Sequence, residues 1–521
     1  MLKNYRLNYY SLFIIILFLF CNFYIVLKNS IYWDDWMLFN RDEGDIISQW
    51  TDYGAPILGY INEFLTTVFP DFLAFKILIF LSIGFSILLV YKIIKDFIKE
   101  LDPFVFIILF VSIPVSFAKY SFVCWVYYFD LALFLFGTYL LLKGVYCERI
   151  RYILISQFIF FISFTTQSLF VFYALPILLL YIKDNRIFDF NFQLLFKNLK
   201  EFIVKNYLLL LAPIAFCLLV LFFDSRGNNE IAESYNRISM ENIFAIPRNF
   251  ISLCLNAIQS IIVNNIIKSI SFLFIFIFIL FYFIFRKKEI NLPLINFKIG
   301  VLVFLFLFGI ASISYLLVGK VPINQYAFTS RHELLLIFAY TFFAYFVLVQ
   351  ISIFKNKNAA KLGAIAILSI FLNASLLKVE SLIKDDMYQK AVSAHINNIS
   401  QIANGEFKAV VFNVENLETE SNRHFKVKEL CGILKFNLAS EEYFGIDKRE
   451  ILNFEKVASS SLRKYFSFKD FKYTDRKLLV TFLPLRKLEF KDIFFYAIPF
   501  YSHRFDQNYF RNLVKVETSS I

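Results

Sequence analysis

Two adjacent carboxylates stand in the run Tyr32-Trp33-Asp34-Asp35-Trp36, and Arg41-Asp42-Glu43-Gly44-Asp45 follows within a few positions. Neighbouring carboxylates repel, so one of them needs a cation or a basic partner. Such a pair can do two kinds of chemistry. It can take the proton of an attacking hydroxyl, or it can hold a divalent cation, Mg or Mn, against a phosphate. Trp33, Trp36 and Trp50 are three of the four tryptophans of the chain. Their rings can stack on a sugar face, and they can equally be ordinary anchors at a membrane surface. Downstream, Trp50-Thr51-Asp52-Tyr53-Gly54-Ala55-Pro56-Ile57 turns sharply into an amphipathic segment at 57–69, which suits a helix lying along an interface.

The elements that must position these residues are apolar. Of the 521 residues 59% are hydrophobic, and the mean hydropathy is +0.62. A soluble domain is usually about 45–50% apolar, so lipid is the fitting solvent. The 70 Phe, with abundant Ile, Lys and Asn, read as the codon bias of a low-GC bacterium rather than as chemistry. Apolar stretches run at 9–28, 73–94, 103–118, 122–142, 152–164, 169–182, 206–223, 269–285, 299–318, 333–354 and 362–377. A full crossing needs about 20 residues, so the short fifth and sixth are expected to form a hairpin turning at Thr165-Thr166-Gln167-Ser168. The expectation is about eleven spanning helices, the first retained rather than cleaved.

Charge sets the orientation. With the N-terminus inside, the inner gaps carry Lys92, Lys95 and Lys99, then Lys143, Arg149 and Arg151, and further clusters at 183–205, 286–298 and 355–361. The outer gaps hold fewer, more scattered cations, which satisfies the positive-inside rule. The net charge of +12 is therefore a matter of topology and gives no ground for nucleic-acid binding. Three outer regions result: a first loop at 29–72, a second at 224–268, and a C-terminal domain at 378–521. The last mixes a helix near 384–403 with β-like pieces at Ala409–Phe412 and Leu478–Phe482, so it reads as a small α/β module. Its Asp385-Asp386, His424 and His503-Arg504 read as solvated surface. Residues 1–377 form the membrane domain.

An Asp-Asp pair after the first helix, then an Arg, then Trp-x-x-x-Gly-Arg-Pro-Leu, resembles the bacterial O-antigen glucosyltransferases, serotype-converting membrane enzymes of the GT-C type. The matching residues are Asp34, Asp35, Arg41, Trp50, Gly54, Pro56 and Ile57; Ala55 replaces the usual Arg. A second match is Thr166-Gln167-Ser168, where that family tends to show Tyr-Gln. The resemblance implies transfer of a sugar, glucose in the family, from a polyprenyl-phosphate carrier to a lipid-linked glycan at the outer face of the inner membrane. It also implies inversion at the anomeric centre and an acidic base in the first outer loop. Asp34 or Asp35 would take that role, with Asp35 preferred. A lipid-phosphate donor needs cations nearby. Lys119, Lys320, Arg331 and His332 on outer turns are the candidates, Gln167 could bond a sugar hydroxyl, and Trp36, Arg41 and Trp50 complete the substrate-binding set. For the Arg the competing reading is a side chain snorkelling at a helix end; for Gln167 it is a polar helix end.

Other classes lose support. There is no Walker A loop, GxSxG or HExxH motif, and the six Cys and four His have no metal-ligand spacing. Two rivals stay open. Arg226, Arg237 and Arg248 in the second outer loop suit an O-antigen polymerase or ligase. A flippase or transporter of lipid-linked glycan would move substrate without bond formation, and the few charges within the spans weigh against ion-coupled transport. The fold expected is an all-α polytopic membrane protein, GT-C-like, with a small extracytoplasmic α/β domain. The protein would lie multi-pass in a bacterial inner membrane, N-terminus cytoplasmic and C-terminal domain periplasmic.

Overall fold

The computed structural model describes residues 9–27, 31–32, 35, 45–52, 56–69, 73–184, 207–224, 239–257, 272–285, 292–293, 295–319, 328–354, 357–396, 398–399, 409–414, 416–417, 444–447, 477–498 and 505–520. It is mostly helical. Helices α1 (Tyr9–Asn22), α2 (Asp45–Asp52), α3 (Pro56–Val68), α4 (Leu73–Phe97) and α5 (Pro103–Ser112) come first. Next are α6 (Trp125–Tyr146), α7 (Ile150–Ser163), α8 (Gln167–Phe172), α9 (Ala174–Asp184), α10 (Leu211–Asp224) and α11 (Met240–Ala257). Then follow α12 (Phe272–Phe285), α13 (Phe297–Leu316), α14 (Leu336–Phe354) and the 40-residue α15 (Lys357–Ile396). Among the described residues five helical stretches are long and apolar enough to cross a bilayer: Leu73–Phe97, Phe122–Tyr146, Phe297–Leu316, Leu336–Ile353 and Lys357–Ile396. Shorter apolar helices fill the other described parts of the bundle, including Ser11–Asn22, Pro103–Ser112, Ile150–Ser163, Gln167–Tyr181 and Tyr207–Leu221.

Packing is largely aromatic. Lipid tails are as apolar as Leu, so helices associate by contact and hydrogen bonding rather than by exclusion of water. Phe134 meets Phe160 with ring centroids 5.3 Å apart, Phe160 meets Tyr173 at 4.8 Å, and Phe164 meets Phe216 at 5.6 Å. Each such pair contributes about 0.5–1.5 kcal/mol beyond its buried area. Gly300 on α13 lets α14 approach: a Cβ there would lie 2.1 Å from the Phe346 ring.

Hydrogen bonds and contacts sort the helix ends into two sets. One end joins Phe97 to Tyr146, Asp102 to Tyr345 and Gln350 to Ile295. The opposite end gathers Cys21, Asn22, Asp35, Ser116–Trp125, Thr165–Ser168, Tyr315, Arg331–Glu333 and Lys378, which touch one another in the contacts described below. These are the ends that the charge pattern places outside.

Three local departures from expectation have physical causes. The third apolar stretch is helical only to Ser112, because Pro114 drives Ile113 into the extended region (φ −61°, ψ 128°). The chain then passes Ser116 at φ 55° and makes two short turns, Phe117–Tyr120 and Phe122–Cys124. The second outer loop contains the 18-residue α11, which lies along α13 with Phe250 on Phe308 at 5.1 Å. The helix near 384 is not separate: α15 runs unbroken from the last apolar stretch across residue 378 to Ile396.

Beyond α15 lies a four-stranded sheet of order β2-β1-β3-β4, with β1 Ala409–Asn413, β2 Phe444–Asp447, β3 Lys477–Pro484 and β4 Val514–Ser520. β1 pairs in parallel with β2 and β3, and β3 pairs antiparallel with β4. Val410, Val411 and Phe412 are all buried, as a central strand covered on both faces requires. Helices α16 (Phe490–Ala497) and α17 (Gln507–Arg511) pack this unit on the end of α15, where His395 Nε2 donates to the Val514 carbonyl at 2.9 Å.

Candidate site at the loop end of the bundle

Asp35 is the best-defined polar group at this end. Its side chain is 0% exposed. Oδ1 accepts the Ser121 hydroxyl at 2.6 Å and the Val123 N–H at 3.0 Å; Oδ2 accepts the Tyr32 and Phe122 N–H groups, both at 3.1 Å. The Pro114 break makes this possible, because the loose turns after it leave the N–H groups of Phe122 and Val123 free to point at a side chain. Burial pushes the Asp35 carboxyl up to about 7, against the pull of its donors and of Lys76. With four N–H or O–H donors aimed at its two oxygens, the site is built for the ionised form. Lys76, buried in the first turn of α4, adds its positive charge to the field at Asp35. A lysine in an apolar run gave no sign of that role.

This geometry fixes what Asp35 can do. A general base needs a free lone pair facing the substrate, and a divalent cation needs an open carboxylate oxygen. Asp35 offers neither without losing hydrogen bonds, so it does not fit as a ligand for Mg or Mn. It is the anchor of the first loop. Asp34, Trp36, Arg41 and Lys320 lie outside the described residues.

The remaining candidates divide. Lys119 donates to the Cys21 carbonyl at 3.2 Å and to Asn22 Oδ1 at 2.8 Å, so it caps the C-terminal end of α1. Burial lowers its pKa to about 8. Arg331 and His332 are buried in the turn Phe328–Glu333 instead of snorkelling. The His332 ring lies 4.7 Å from that of Tyr315, whose hydroxyl bonds Ser168 at 3.0 Å. Gln167 is exposed, on a turn pinned by Asp130, which accepts the hydroxyls of Thr165 at 2.8 Å and Thr166 at 2.7 Å. Trp50 is half-buried, with its α2 backbone close on Gly59 of α3. Helix α3 is tied down by Asn62 Oδ1, which accepts the Trp125 indole N–H at 2.9 Å.

Further charged residues at this end gave no local signal of their placement. Glu333 is buried at the end of the turn Phe328–Glu333, and Lys378 lies 5.2 Å over the Phe117 ring. Asp385 and Asp386, expected on the surface, are both buried, because α15 carries them into the contact between the bundle and the sheet. Among the described residues the cations Lys76, Lys119, Arg331 and Lys378 thus converge on the bundle end that carries the first-loop anchor. No protein family, curated protein or solved structure matches the chain.

Proposed function

We propose that the chain is a membrane glycosyltransferase that takes a sugar from a polyprenyl-phosphate carrier and gives it to a lipid-linked glycan. The observation that carries the reading is the Asp35 anchor: it ties the first loop to the Ser121–Val123 turn at the end of an apolar bundle, beside buried cations. A lipid-linked head group meets protein at that depth. In this reading the chain crosses the bilayer about eleven times. The N-terminus lies in the cytoplasm of a bacterium, and the loop end and C-terminal unit lie on the periplasmic face of the inner membrane.

The base is Asp34, next in the chain to the anchored carboxylate. It takes the proton of the acceptor hydroxyl as that oxygen attacks the anomeric carbon. The bond from that carbon to the phosphate oxygen breaks, the carrier phosphate leaves with the electron pair, and the configuration inverts. Lys119 and Arg331 favour the phosphate electrostatically, as preorganised cations do in a water-poor site. Arg41, Lys320 and His332 belong to the same cationic set, while Trp36, Trp50 and Gln167 supply sugar contacts. Glucose as the sugar and O-antigen as the acceptor follow from the sequence resemblance.

The test is transfer by purified protein from polyprenyl-phosphate glucose to an O-antigen acceptor. Wild type should transfer, and Asp34→Asn should lose transfer while staying folded. Full activity in Asp34→Asn would overturn the assignment of the base. A change in glycan repeat number on deletion of the protein would favour a polymerase.

A further inference from the structure

The C-terminal unit is joined to the first loop by a buried chain of polar groups. Asp386, on α15, sits at its centre. Its Oδ2 accepts the Tyr496 hydroxyl and, at 3.2 Å, the Lys390 ammonium, which also donates to the Tyr496 oxygen. Tyr496 belongs to α16 of the C-terminal unit, and it is buried with its ring edge-on to Phe505 and Phe510. On the other side, Lys76 interacts electrostatically with both Asp386 and Asp35. A second thread runs in parallel: the Tyr32 hydroxyl donates to the Leu382 carbonyl at 3.2 Å, one turn before Asp386, and the Tyr32 N–H donates to Asp35. Asp35, Lys76 and Asp386 are each at most 3% exposed.

Buried charges are costly unless each has a partner, and removing one partner strands the other. The Tyr32 bond ties the first loop to the turn of α15 that leads to Asp386, so the position of each depends on the other. α15 adds stiffness, since it continues without a break from the bundle to the sheet. A unit that merely covered the site would need none of this.

We propose that Tyr32 is a positioning residue through which the C-terminal unit sets the placement of the first loop, by way of Tyr496, Asp386, Leu382 and Asp35. The C-terminal unit is then an integral part of the reactive end, and a glycan docked on it would act on the loop carboxylates. The role in transfer rests on the function proposed above; the physical coupling does not.

Hydrogen exchange on the full-length protein in lipid nanodiscs tests the coupling directly. Tyr496→Phe removes one hydroxyl and keeps the ring packing. It should speed exchange of the Phe122 and Val123 amides, which donate to Asp35, by about tenfold. Tyr32→Phe, which removes the bond to the Leu382 carbonyl, should do the same. Arg486→Ala, which breaks bonds to Asp492 and Tyr509 within the same unit, should leave those two amides as in wild type. Unchanged exchange at Phe122 and Val123 in Tyr496→Phe would overturn the proposal, and so would equal acceleration in Arg486→Ala. In the transfer assay Tyr496→Phe should lower kcat about tenfold with KM for the donor retained. Absence of transfer in wild type would count against the proposed function, and the exchange rates alone would then decide whether the coupling exists.

Discussion

The Asp35 carboxylate accepts the Ser121 hydroxyl at 2.6 Å across 86 residues of chain, and this bond fixes the first loop on the bundle end. Ser121 stands in the irregular segment after the Pro114 break. A straight helix there would have spent its N–H groups internally and left the carboxylate unpaired.

Asparagine at position 35 should therefore fail structurally. Its amide would point N–H groups at donors already in place. The loss is expected at about 2–4 kcal/mol, the scale of a stranded buried partner. Thermal unfolding in nanodiscs should show Asp35→Asn lowered and Asp34→Asn near wild type. The reverse order would mean that Asp35 is not the anchor.

Lys119 gives a pH dependence. Its pKa is lowered to about 8 in the fold, against about 10.4 in an unfolded chain. Between these values the unfolded chain holds more protons, so the stability from this group rises with pH across the window and is lost as pH falls through 8. Attraction for phosphate runs the other way, because the ammonium loses its proton above pH 8. Binding of a polyprenyl-phosphate donor should weaken from pH 7 to 9 in wild type. In Lys119→Arg, which stays charged, it should stay flat. A titration of donor binding with both proteins settles the point.

Gly300→Ala should cost about 1–3 kcal/mol, because the new methyl meets the Phe346 ring in a packed interface. Phe346→Ala should be destabilising alone yet less so on the Gly300→Ala background. Additive losses in the double-mutant cycle would show that the two residues do not share this contact.

Orientation is open to a labelling test. Cys147 is exposed at the end of α6 with Lys143, and Gln167 is exposed at the opposite end. A membrane-impermeant thiol reagent added to intact spheroplasts should label Gln167→Cys and spare Cys147. Labelling of Cys147 alone would invert the topology.

The mostly helical, apolar bundle and the small C-terminal sheet followed from local pattern. Apolar runs, Pro103 after the capping Asp102, and short β-branched and aromatic runs at 409–412 and 478–482 mark helices and strands where they occur, because these signals act within a few residues. Continuity of α15 past residue 378 was not read from the sequence: the change in polarity after Leu377 marks a boundary there, although no Gly or Pro stands between Gly363 and Ile396.

The partners of the charged residues were not legible. The sequence by itself determined that two carboxylates stand together at a helix end and that one needs a cation. Tertiary structure alone decided that Asp35 is buried and that Tyr32 and the Ser121–Val123 turn supply its donors. It alone drew Asp386 and Tyr496 into the same network, 110 residues apart in the chain. The physical reason is reach. Helix formation and lipid solubility depend on neighbours in sequence, whereas the protection of a buried charge depends on donors that only the folded chain brings within hydrogen-bonding distance.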